Sequence, residues 1–141
     1  GRYLDFAYLY KLYFLRRYAA KLKYELLLHA ASHVRGMARE YRQILEESLK
    51  FRHPKAHFLT DLDDGLYAAQ YLRAWIFEAQ LRAKITEKYG ETWFRNQEAG
   101  KLLKELWSTG QKYDAVELAR RTGYKRLDVT PMLKEFNEYF G

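Results

Sequence analysis

Residues 3 to 33 contain neither glycine nor proline, and that uninterrupted run constrains everything after it. At about 1.5 Å per residue, one helix over the run would reach roughly 45 Å, which is long for a chain of 141 residues. Two apolar lines run along it. One follows Leu4, Tyr8, Leu12, Leu15, Ala19, Leu22 and Leu26; the other follows Phe6, Tyr10, Tyr13 or Phe14, Ala20, Tyr24 and Leu27. A helix apolar on two sides is enclosed by neighbours on both, and the residues that remain can hardly surround this one. The expectation is a piece of a larger body, or one half of a homo-oligomer.

The rest of the chain reads as shorter helices with clear punctuation. Gly36 interrupts the pattern, and Met37 to Phe51 suits an amphipathic helix with Tyr41, Ile44, Leu45, Ser48 and Leu49 inward, ended by Pro54. A loop over 52–60 leads to Asp61, Asp63, Asp64 and Gly65. Thr60 with Asp63 three residues later resembles a capping box, and carboxylates suit the positive end of a helix, so the next helix is expected to start near Asp61 and run to Tyr89, capped by Gly90. Asn96 caps a helix to Trp107 that Gly110 closes, and Asp114 opens a short one to Arg121 that Gly123 stops. Thr130 with Pro131 opens the last, proline being well placed in a first helical turn. The fold class is all-α, with about six helices, two of them long, in a single helical domain. Only eight Gly and two Pro, with few β-branched residues, leave almost nothing for sheet.

Composition closes off several functions. There is no cysteine, which excludes a disulfide framework and a thiolate zinc site and is compatible with a cytoplasmic location. No apolar stretch is long enough and free enough of charge to span a membrane, and Asp5, Lys11, Arg16 and Arg17 interrupt every run that could serve as a signal peptide. The net charge of +7 comes from scattered pairs such as Arg16 with Arg17 and Arg120 with Arg121. Set among acidic residues, these read as solvated helix faces, not a nucleic-acid footprint.

Candidate chemistries divide on spacing. Glu25, His29 and His33 follow at intervals of four and share a helix face, but a zinc-peptidase signature needs Glu directly after the first His, where Ala30 stands. The Asp61 to Gly65 group lacks the later ligands of a calcium loop, since the fifth and twelfth positions are Gly65 and Leu72. No strained turn surrounds Ser32, Ser48 or Ser108, and no glycine-rich phosphate loop exists. A helix-turn-helix is suggested over 116–136 by Ala119, Gly123 and Val129, which would make the chain a basic DNA-binding module. Against it, Pro131 falls where the middle of a recognition helix would lie, and a last helix starting at Thr130 begins too late to present Lys125 and Arg126.

One stretch carries a more specific pattern. His57 stands in a loop, Asp64 and Gly65 follow, and Tyr67 and Tyr71 then sit four apart, projecting side by side from one helix. Further on comes EAGKLLKELWSTGQKYDAVELARRTGY, then LDVTPMLKEF. From His57 to Phe136 this resembles the C-terminal region of the helical zinc oligopeptidases, the group of thimet oligopeptidase, oligoendopeptidase F and the angiotensin-converting enzymes. The resemblance implies a helical zincin-like fold and a peptide substrate. It makes Tyr71 the phenol that receives the oxyanion and His57 the imidazole that assists it, both catalytic, with Tyr67, Gln70 and Asp64 binding substrate. Gln70 stands where the converting enzymes carry Arg, and the loop from His57 to Tyr71 differs in length from either group. No His-Glu-x-x-His segment is present, so no metal ligand is assigned in this chain. The resemblance places zinc on the N-terminal remainder of the protein and implies that this portion alone does not hydrolyse peptides.

Overall fold

The computed structural model describes residues 1–141 and is all-helical. Six α-helices run in the order α1 (Arg2–Ala30), α2 (Met37–Leu49), α3 (Ala68–Tyr89), α4 (Gln97–Ser108), α5 (Ala115–Arg121) and α6 (Thr130–Phe140), with single 3₁₀ turns at Lys55–His57, Asp64–Leu66 and Trp93–Arg95. No helix is long and apolar enough to cross a membrane. Contacts gather into two compact units, Gly1–Leu72 and Arg73–Gly141, the division falling inside α3.

In the first unit, α1 packs against α2. Gly36 holds φ +88°, a left-handed conformation that glycine adopts without a Cβ penalty, and it turns the chain into α2. α2 then buries Met37, Tyr41, Ile44 and Leu45 against Ala20 and Tyr24 of α1, with Leu28, Leu49, Phe58 and Leu62 packed around them. Ser48 and Leu49 are half-buried, and α2 ends at Leu49, two residues short of Phe51. The Tyr24 hydroxyl donates to the Phe58 carbonyl at 2.7 Å, which ties the loop after α2 to the middle of α1.

The same face of α1 goes on toward its N-terminus without that cover. Tyr3 is 80% exposed and Phe6 65%, and Leu9 and Tyr10 are more than half exposed. α1 ends at Ala30, so His33 lies beyond it.

The start of α3 departs from the sequence expectation. Gly65 (φ +61°) and Leu66 (φ +58°) are both left-handed, and a right-handed helix cannot run through them. α3 therefore begins at Ala68, and the carboxylates are not its cap. Asp63 makes no side-chain capping bond, and Thr60 Oγ1 lies 3.4 Å from His57 Nδ1, so no capping box forms.

The second unit follows its caps closely. Asn96 Oδ1 accepts from the backbone of Glu98 and Ala99, and Asp114 Oδ1 accepts from Glu117. α6 differs in one respect. Its first turn is held by Asp128, whose Oδ1 accepts from both the backbone N and the hydroxyl of Thr130, so Thr130 is the capped residue and not the cap.

The interior of this unit includes Ala79, Ile85, Ala99, Ala119, Met132 and Phe136, with one fully buried polar side chain, Gln80. Gln80 donates to the Arg126 carbonyl and accepts from Asp128 N, both at 3.1 Å, while its own carbonyl receives the Tyr124 hydroxyl at 3.0 Å. Three bonds thus fix the segment between α5 and α6, and Arg82 grips Glu135 through two nitrogens at 2.9 and 2.6 Å.

Candidate functional site

Two neighbouring features of the first unit hold the titratable chemistry. The first is an aromatic shelf at the start of α3. Tyr67 and Tyr71, one turn apart, meet edge-on with ring centroids 5.1 Å apart, and Tyr71 meets Tyr18 of α1 at 5.0 Å. Both stay accessible, Tyr67 at 53% and Tyr71 at 39% exposure. The adjacent Tyr67 phenol raises the Tyr71 pKa, helped by partial desolvation, Tyr18 and the charge of Asp63.

The second feature is a hollow of about 450 Å³ between α1, α2 and the connection that follows, lined by residues that include Arg17, Tyr41, His53, His57 and Asp61. Asp61 is its centre. It receives a hydrogen bond from Arg17 and one from the Tyr41 hydroxyl at 2.5 Å, and Lys21 lies 3.7 Å away. Lys21 also pairs with Asp63 at 2.8 Å. The loop carboxylates that read as a helix cap are thus bound to cations of α1; Arg17, which read as solvent-facing, is largely buried, and so is Lys21.

With the Tyr41 proton directed at Asp61, His53 Nε2, 3.1 Å from the same oxygen, is left to donate to it. The result is a continuous chain from His53 through Tyr41 and Asp61 to Arg17. Burial alone would raise the Asp61 pKa, but the bonds from Tyr41 and Arg17 outweigh it and hold the carboxyl below its usual range. Burial, reinforced by the Asp61 interaction, pushes the Tyr41 phenol far up. His53 is lowered, first by burial and then by Arg17, with His57 adding to the effect and Asp61 and Glu46 opposing it.

These shifts give an acid-lability profile with two steps. An unfolded His53 takes up a proton near pH 6.5, before the folded one does, so its contribution is complete above about pH 6.5 and is lost as pH falls through its folded value. The Asp61 contribution is complete above about pH 4 and is lost only as pH falls through its depressed folded value. The urea midpoint of the native chain should fall between pH 7 and 5, and in His53→Gln that part of the curve should flatten. An unchanged slope would remove His53 as the cause.

The sequence-derived candidates are placed as follows. Tyr67 and Tyr71 come together, and Gln70 and Asp64 are exposed on the same segment. His57 is exposed at the end of its 3₁₀ turn and lines the hollow, a surface to which neither Tyr67 nor Tyr71 contributes. Glu25 turns fully inward, accepting from Asp63 N at 2.7 Å, whereas His29 and His33 are exposed, so these three do not converge.

Sequence reasoning missed Arg17, Tyr41, His53 and Asp61. No local signal marks them, since Arg17 and Tyr41 lie 44 and 20 residues from the Asp61 carboxylate they bind. Compared with protein-family models, curated proteins and solved structures, the chain matches none.

Proposed function

We propose that this chain is the substrate-binding and oxyanion-stabilising portion of a zinc-dependent oligopeptidase. The observation that carries the reading is the Tyr67–Tyr71 pair: two accessible phenols in contact where the chain enters α3. A phenol donor suits charge that develops on a peptide carbonyl oxygen, and the resemblance from His57 to Phe136 assigns Tyr71 that task. Tyr67 orients the Tyr71 hydroxyl, and Gln70 and Asp64 offer polar contacts to the peptide beside it.

The residues of this chain do not fit a zinc ion. Glu25 is turned away from His29 and His33, and Asp61, the carboxylate nearest His53 and His57, is already taken by Arg17 and Tyr41. The metal in this reading belongs to a segment outside these residues, and the exposed N-terminal face of α1 is a surface on which such a segment would pack.

The DNA-binding alternative is weaker. α6 bears Lys134 paired with Glu138 and Glu135 paired with Arg82, while Lys125 and Arg126 precede the helix, so the element that would enter a groove has little cation to offer phosphates.

The test is the complete reading frame that contains this chain, assayed on internally quenched peptides with and without a zinc chelator. Chelator-sensitive cleavage is expected, with Tyr71→Phe lowering kcat about ten- to a hundredfold at little change in KM. A frame without a His-Glu-x-x-His segment, or a Tyr71→Phe enzyme with native kcat, would defeat the proposal.

A further inference from the structure

We propose that the loop after α2, together with Tyr13 of α1, is a surface for single-stranded nucleic acid. The charge of this loop is one-sided. Residues 48–60 hold Lys50, Arg52, Lys55 and two histidines, and neither Asp nor Glu. The three cations are exposed and stand in no ion pair. The carboxylates on either side are already engaged: Glu46 accepts from Arg42 and from His53 N at 2.8 and 3.0 Å, Glu47 accepts from Gln43 at 2.9 Å, and Asp61 is held by Arg17 and Tyr41. In this the loop differs from the basic pairs scattered among acids elsewhere in the chain.

Among these cations stands a flat apolar surface. Phe51 is half exposed and lies against Tyr13, itself exposed, with ring centroids 6.3 Å apart and planes 18° from parallel. Half-buried Phe14 meets Tyr13 edge-on at 5.3 Å and backs the pair. Lys50 and Arg52 flank Phe51 directly, and Lys50 takes a left-handed φ of +64° where α2 ends, so the chain turns at the ring. Ring faces among closely spaced cations suit a polyanion that carries flat bases between its phosphates: bases stack on the rings while the ammonium and guanidinium groups meet the backbone. A duplex hides its base faces, and an acidic peptide has none to offer. A bilayer is entered by rings that protrude, whereas Phe51 leans on Tyr13. The inference uses this loop alone, apart from α5, α6 and the Tyr67–Tyr71 shelf, and stands whether or not the peptidase reading does.

Fluorescence anisotropy of labelled oligo(dT) and oligo(U), each of about 15 nucleotides, measures binding by the full chain between about 50 and about 200 mM salt. Binding of either probe supports the proposal, and the comparison separates DNA from RNA. Three phosphate contacts should give log K a slope of about −2 against log salt. Phe51→Ala should weaken binding about tenfold at every salt concentration and leave the slope unchanged. Arg52→Gln combined with Lys55→Gln should instead bring the slope to about −0.7. Circular dichroism checks that each variant keeps its helices; should Phe51→Ala lose them, the double variant, changed only at exposed side chains, still decides. No binding of either oligonucleotide at the lowest salt, duplex bound as tightly as single strand, native affinity in folded Phe51→Ala, or an unchanged slope in the double variant would overturn the proposal. Co-sedimentation with phosphatidylserine vesicles in the absence of oligonucleotide binding would overturn it too, and would assign the loop to a membrane surface.

Discussion

Asp61→Ala is expected to cost about 3–5 kcal/mol of folding free energy, toward the lower figure because both partners retain some solvent contact. The side chains of Arg17 and Asp61 are each 17% exposed, so removing the carboxylate leaves a guanidinium largely out of water. The loss spreads along the chain of bonds. Tyr41 loses the acceptor of its hydroxyl, His53 loses the arrangement that orients it, and Arg17, with Nη1 already unpartnered, has no second acceptor on which to fall back. Asp61→Asn should cost distinctly less, since an amide oxygen still accepts from Tyr41. Urea unfolding of the two variants at pH 7 measures the difference. A loss below about 1 kcal/mol for Asp61→Ala would mean that Arg17 swings out to solvent and that the pair is a surface bridge.

Tyr24→Ala is expected to cost about as much, roughly 3–5 kcal/mol. Tyr24 is fully buried at the meeting of three segments, its ring edge-on to Tyr41 at 4.9 Å and its hydroxyl on the Phe58 carbonyl. Truncation opens a cavity beside the aromatic pair and unties the loop that carries His57. Tyr24→Phe separates these effects. It keeps the ring and leaves only the Phe58 carbonyl unsatisfied, a cost of about 1–2 kcal/mol. A thermal melt of the two variants reads the gap. If Tyr24→Phe were as damaging as Tyr24→Ala, the hydroxyl and not ring packing would hold the loop.

The helices were legible because their signals are local. Asn96, Asp114, Gly90 and Gly110 act on backbone groups within a turn of themselves, and the structure puts helix ends where those residues predict them. The Tyr67–Tyr71 contact was legible for the same reason, as residues four apart on one helix are neighbours whatever else the chain does. The start of α3 was misread because two explanations compete for the same carboxylates. A helix N-terminus offers Asp61 and Asp63 a partial positive charge, whereas Arg17 and Lys21 offer whole ones, and the whole charges win once α1 is alongside.

From its sequence alone, this chain was bound to be helical, with long elements, apolar stripes and caps at readable places, because each of those properties depends on residues within about a turn of one another. Only the tertiary structure decided which charges are buried. Arg17, Asp61, Tyr41 and His53 are up to 44 residues apart, and nothing in their local spacing says that packing α1 against α2 removes them from water together. Desolvation is a property of the assembled interior. The hollow and the shifted pKa values around it arise from that desolvation and from the contacts made there.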